Sequence, residues 1–170
     1  MVLNKKSFTL VEILISISLF SIIILFLYQT LDMTKKSNTF YSEKLDIKKD
    51  QNNLKKILFL DLIHKYQDNN STKISQDNDE NSIFQLKSTN TYHNPFYEHI
   101  TYMISKEKNL LRIESYNVFN KVKIDEDFFS KSYIDVLENR VSKFKVKIQK
   151  NKQIVFYIEK ENKEKVIFSF

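Results

Sequence analysis

Phe8 to Tyr28 reads FTLVEILISISLFSIIILFLY, a run that is apolar throughout apart from one carboxylate, Glu12, and a few Ser and Thr. At about 1.5 Å of rise per residue, a helix of about this length covers the roughly 30 Å hydrocarbon core of a bilayer. A secretory signal peptide would carry an apolar region of only about 7–15 residues and end at a small-residue cleavage site, and this run continues past that length. A soluble core helix that is hydrophobic on every face needs a larger protein around it than 170 residues supply. A transmembrane helix over 8–29 is therefore expected. Lys5 and Lys6 precede it by only a few residues. The positive-inside rule then keeps the N-terminus cytoplasmic and sends the remainder across the membrane.

Glu12 lies inside that span. A charged side chain near the centre of a membrane helix costs roughly 2.5–3.5 kcal/mol on insertion scales, a cost that calls for a partner. Glu12 is also only one turn from the helix start, where it could snorkel to the headgroups and meet the positive end of the helix dipole. The residues alone leave both readings open.

The octapeptide Lys5-Lys6-Ser7-Phe8-Thr9-Leu10-Val11-Glu12, followed by an unbroken apolar run, resembles the type IV prepilin leader. In that family a short basic segment is cut just before a Phe-Thr-Leu-x-Glu sequence. The resemblance implies a leader over residues 1–7, cleavage by prepilin peptidase between Ser7 and Phe8, and N-methylation of Phe8. It also implies that Glu12, fifth in the mature chain, contacts the terminal amine of a neighbouring subunit. Ser7 stands where the family places Gly, in a chain with no glycine at all. Gln29 stands where many major pilins carry a helix-bending Pro, which predicts a straighter helix there.

Beyond the span, Met33, Phe40, Ile47 and Leu54 recur seven apart, and Leu54, Leu58 and Leu62 four apart. This spacing predicts an extramembrane continuation of the helix over 30–66, giving a rod on the order of 90 Å if unbroken. A break near Lys35-Lys36-Ser37-Asn38 would give two helices instead. Residues 67–170 read as a β-rich head domain. Asp68 to Ser82 is polar and predicts a loop, and Asp77, Asp79 and Glu80 lack the spacing and the glycine of an EF-hand. Ser82 to Lys87, Glu98 to Ser105 and Leu110 to Tyr116 predict strands, the last two joined as a hairpin through residues 106–109. Val122 to Ile124 is a short strand candidate, and 125–140 is expected to be a loop with a helical turn. The C-terminus alternates strictly, which predicts three strands burying Val146, Ile148, Ile154, Phe156 and Phe168, with turns at Asn151-Lys152 and Asn162-Lys163. Asn is expected to take the positive φ that glycine would otherwise supply. The fold class is α+β: a long N-terminal helix, its first half transmembrane, packed on an antiparallel β-sheet head, which is also the pilin-like architecture.

Composition excludes several chemistries. Without glycine there is no phosphate-binding glycine loop and no Gly-x-Ser-x-Gly elbow, and without cysteine no disulfide, thiolate metal site or cysteine nucleophile. Three histidines, His64, His93 and His99, lack the spacing of a zinc site, so no metal and no cofactor are expected. Lysines interleaved with aromatics near the C-terminus are accounted for by a packed face alternating with a wet one, so no nucleic-acid partner is expected. The resemblance implies a non-enzymatic structural subunit of the cytoplasmic (inner) membrane with an extracytoplasmic head. Its partners would be prepilin peptidase, other pilin-like subunits, the inner-membrane assembly platform and membrane lipid. The leading expectation is a minor pseudopilin of type II secretion; Ile100-x-Tyr102 followed by Leu110-x-Arg112 looks like a strand pair of J-type minor pseudopilins and of related minor pilins, and it also fits an ordinary amphipathic hairpin. A minor type IV pilin for priming, adhesion or DNA uptake is the second. Outside the family stands a single-pass anchored binding domain that never polymerises.

Overall fold

The computed structural model describes residues 9–67, 71–121 and 126–170, with the side chains of Glu126 and Asp127 excepted. The expected cleavage residues Ser7 and Phe8 and the strand candidate Val122 to Ile124 lie outside the described residues. The chain divides into two compact units, residues 1–49 and 50–170.

Helix α1 runs from Leu10 to Ile63 without a break, so the two-helix alternative at residues 35–38 does not hold. No Pro or Gly interrupts it. Six of its hydroxyls are absorbed internally: Ser16, Ser18, Ser21, Thr30, Thr34 and Thr39 each donate to the carbonyl four residues back, which lowers the cost of placing them on the helix. The helix ends three residues before the expected Tyr66. His64 Nδ1 lies 2.9 Å from the Leu60 carbonyl, a side-chain cap on the last turn.

In the first unit every described residue of α1 is exposed. In the second, its last turns bury Leu54, Leu58 and Asp61, spaced at i, i+4 and i+7 and therefore on one face. That face meets eight strands in two antiparallel sheets. β1 (Thr72–Gln76), β2 (Ser82–Lys87), β3 (His99–Ile104), β4 (Leu110–Ser115) and β5 (Ser132–Glu138) form one in simple chain order; β6 (Val141–Ile148), β7 (Ile154–Lys160) and β8 (Lys165–Ser169) form the other. A short helix α2 (Glu126–Ser130) precedes β5. The sheets meet where β6 lies by the start of β2: Phe144 N–H donates to Asn81 Oδ1 (3.1 Å) and Val146 N–H to Ser82 Oγ (2.9 Å). Side chains thus satisfy the outer edge of β6. The core between them holds Leu54, Leu58, Phe84, Ile100, Phe144, Phe156 and Ile158, with Phe156 edge-on to Phe84 at 5.2 Å.

The expected strands at 82–87, 98–105 and 110–116 and the three C-terminal strands are present. Two more lie where loops were expected. β1 sits inside the polar 68–82 stretch, anchored by Ile74 alone, so its alternation carries too little apolar signal to be read. β5 occupies 132–138; its apolar residues Ile134 and Val136 are exposed, so the pattern of a half-buried strand is missing. Ile148 is corrected in the other direction: it is 51% exposed, at the end of β6 beyond the packed face, while Val146, Ile154, Phe156 and Phe168 are buried.

The turns also correct the expectation for asparagine. Loops 77–81, 105–109, 149–153 and 160–164 share one pattern, the first residue's N–H donating to the fifth residue's carbonyl. In each the fourth residue has positive φ: Glu80, Lys108, Lys152 and Lys163. Asn151 and Asn162 stay one position earlier and accept from the amides of Gln153 and Glu164. Asp77 Oδ1 and Ser105 Oγ serve their own loops in the same way, each accepting from two amides. A short polar acceptor is worth more as a turn cap than as a left-handed residue, so the charged neighbour takes the strained conformation.

Candidate functional site

The start of α1 is built by four residues. Thr9 is the N-cap: Glu12 N–H donates to Thr9 Oγ1 at 3.3 Å, while Thr9 N–H and Oγ1–H both donate to Glu12 Oε2 at 2.9 Å. This Thr-x-x-Glu reciprocity is a capping box, in which two orphan donors of the helix terminus are satisfied together. The sequence reading of Glu12 did not use this Thr-x-x-Glu spacing, which is the signal that marks the cap. The consequence of the cap is that Glu12 already has a partner within its own chain, and that among the described residues only Oε2 is engaged, Oε1 making no hydrogen bond with any of them. The carboxylate is thereby held at the helix tip in one orientation. The 54-residue helix behind it is long and apolar enough to cross a membrane.

A second polar constellation lies in the unit of residues 50–170. Arg112, Asp61 and Glu114 are all fully buried. Arg112 grips Asp61 bidentately, Nε to Oδ2 at 2.8 Å and Nη2 to Oδ1 at 3.0 Å, bonds Glu114 through Nη1, and donates from Nη2 to the Asn90 carbonyl at 2.7 Å. Tyr102 hydroxyl donates to Asp61 Oδ2 and Asn90 Nδ2 to Oδ1. Glu114 receives the amides of Tyr92 (2.7 Å) and His93 (3.1 Å), and the Tyr92 ring lies over the guanidinium at 4.2 Å. Burial opposes the charge of Arg112, but its bonds to Asp61 and the fields of Tyr102 and Asp61 outweigh that, so its pKa is raised. Burial, then the Asp61 charge, push the Tyr102 hydroxyl well above its usual range. Each carboxylate oxygen of Asp61 and Glu114 accepts at least one hydrogen bond and each guanidinium nitrogen of Arg112 donates at least one, the condition under which a buried ionic network is tolerated. The cluster ties the last turn of α1 to β3, β4 and the β2–β3 connection.

The strand pair noted in the sequence is real: Tyr102 and Arg112 are direct register partners on β3 and β4. Asp61, Asn90 and Glu114 were missed. The signal was a carboxylate on the buried helical stripe and two charges, Arg112 and Glu114, within an apolar strand. The histidines stand apart: His93 Nε2 lies 2.9 Å from Asp135 Oδ1 with its ring stacked on Tyr133, and His99 stands on β3, its pKa lowered by burial and by Lys87. Among the described residues no group of three or more His, Asp or Glu is placed to hold a metal ion.

Residues 3–28 match the family model described as the prokaryotic N-terminal methylation motif. No curated protein and no solved structure matches the chain. The N-terminal match supports a type IV prepilin-like family, and the long apolar helix followed by antiparallel sheets is consistent with the pilin-like plan. Proteins of this kind are structural subunits, and their motif implies processing by prepilin peptidase and pilin-like assembly. An N-terminal apolar helix bearing it fits a single-pass anchor in the inner membrane.

Proposed function

We propose that this protein is a filament subunit stored in the inner membrane through residues 8–29, cut between Ser7 and Phe8, N-methylated on Phe8, and drawn into a pilus-like assembly by its N-terminal helix. Within that class we read it as a minor pseudopilin of type II secretion, with the head on the extracytoplasmic side; the paired Tyr102 and Arg112 fit this choice and equally fit a minor type IV pilin, the second reading. The observation that carries the assembly reading is the half-used carboxylate of Glu12. Thr9 aims it and occupies Oε2, which leaves Oε1 for the cationic amine that cutting before Phe8 would create on a neighbouring subunit. In an apolar filament core that pair would set axial register while satisfying both charges.

Removing one partner of a buried pair typically costs about 3–5 kcal/mol, enough to cut incorporation by orders of magnitude. Glu12→Leu makes the span more apolar, so membrane insertion should persist. Expressed beside the unaltered protein, Glu12→Leu should keep its membrane fraction and leader cleavage but lose crosslinking to partner pilin-like subunits. Undiminished crosslinking would favour the anchored domain that never polymerises.

A further inference from the structure

Residues 141–170 hold eight lysines against three glutamates, so this stretch supplies +5 of the chain's net charge of +6. β6, β7 and β8 sort that charge by face. Register sets Lys143 beside Glu159 and Glu159 beside Lys165; Lys145 beside Tyr157 and Tyr157 beside Ile167; Lys147 beside Val155 and Val155 beside Ser169. Residues directly opposite in an antiparallel pair share a face, as do alternate residues along a strand. These three rows therefore form one surface, opposite the buried rows of Phe144, Ile158 and Val166 and of Val146, Phe156 and Phe168.

Four lysines thus share a patch with one carboxylate, and Glu159 is itself engaged by the Tyr157 hydroxyl at 2.6 Å. Lys143, Lys147 and Lys165 are exposed and form no ion pair with any described residue. Lys145 is partly held, donating to the Glu80 carbonyl and lying 4.0 Å from the Glu80 carboxylate, so the unpaired positive charge of the patch rests on the other three lysines. Ile167, in the middle row, is 64% exposed. A solvated face has to be polar but need not be of one sign, and like charges set about 7 Å apart along one strand repel. The fold carries that repulsion here, whereas the rest of the chain mixes nineteen basic with eighteen acidic residues.

We propose that the outward face of β6, β7 and β8 binds a phosphodiester polymer, single-stranded or duplex nucleic acid, through its phosphates and without regard to sequence. The patch is two inter-strand spacings across, about 10 Å, and about 14 Å along β6 from Lys143 to Lys147, a strip suited to a chain-like polyanion rather than to a plane of headgroups. Lysine is a point-charge phosphate binder, and Tyr157 with Ile167 offers an apolar centre against which bases can rest. The expectation of no nucleic-acid partner rested on alternation alone. Alternation separates packed from wet residues, but it does not reveal that three wet rows converge with one sign.

The test uses the full chain in neutral detergent micelles, titrated into fluorescein-labelled single-stranded and duplex oligonucleotides over a salt series. Both should bind at low salt. The triple variant K143E/K147E/K165E should lose at least tenfold in affinity, with a log-affinity against log-salt slope shallower by about 2 for the single strand, at about 0.7 per phosphate contact. K48E/K49E/K56E makes the same change in net charge on α1 and should bind as the unaltered protein does. The relative strength of the two oligonucleotides identifies the preferred form. No binding at low salt, or equal losses in both triple variants, would overturn the proposal. So would lysine-dependent binding to phosphatidylglycerol vesicles with none to either oligonucleotide. The outcome does not depend on leader cleavage or filament assembly.

Discussion

Asp61 sits where the stripe of Leu54 and Leu58 calls for another apolar side chain, and its burial is tolerated because Arg112, Tyr102 and Asn90 meet both of its oxygens. Arg112→Met would leave Asp61 and Glu114 buried without their counter-charge. A loss of about 3–5 kcal/mol is expected, read as a fall in the denaturant midpoint of unfolding. Tyr102 gives a pH signature. Its folded pKa is raised, so the stability it contributes is fully present below the unfolded value of 10.0 and is lost as pH rises from there toward the folded value. The unaltered protein should therefore lose stability above about pH 10 more steeply than Tyr102→Phe, and parallel curves would contradict this. Sequence reading caught Tyr102 and Arg112 only as neighbours in a hairpin. The remaining partners come from a helix end and a connection brought together by long-range packing, which local periodicity does not encode.

The strands show where element-level reading works and where it stops. β6, β7 and β8 were legible because each buries alternate residues against the core, and β2 because it lies within it. β1 and β5 are the outer strands of their sheet and lack that alternation. The hairpin turns show what a chain without glycine does instead: it places lysine or glutamate at φ near 60° and lets a preceding Asn, Asp or Ser cap the loop. A left-handed residue with a Cβ costs roughly 1–2 kcal/mol, part of which glycine returns as backbone entropy. Lys152→Gly and Lys163→Gly, at positions that form no ion pair with any described residue, should each raise stability by up to about 1 kcal/mol. Thermal unfolding measures it directly; a fall in melting temperature for both would mean that these loops do not hold the left-handed conformation described.

At the scale of the whole molecule, a helix carrying the methylation motif and a head built from two antiparallel sheets occupy one chain, and the motif is what supports a prepilin-like family for it. Everything proposed for assembly passes through one covalent event at a residue the family does not usually place there, Ser7. Serine is small enough to occupy a peptidase subsite fitted to glycine, so Ser7→Gly should be cut at least as well and Ser7→Arg should not be cut. The most direct measurement is the intact mass of the protein extracted from membranes of cells with an active prepilin peptidase. A single species that has lost residues 1–7 and gained one methyl group on Phe8 is expected. Recovery of the full-length, unmethylated chain from those cells would contradict it.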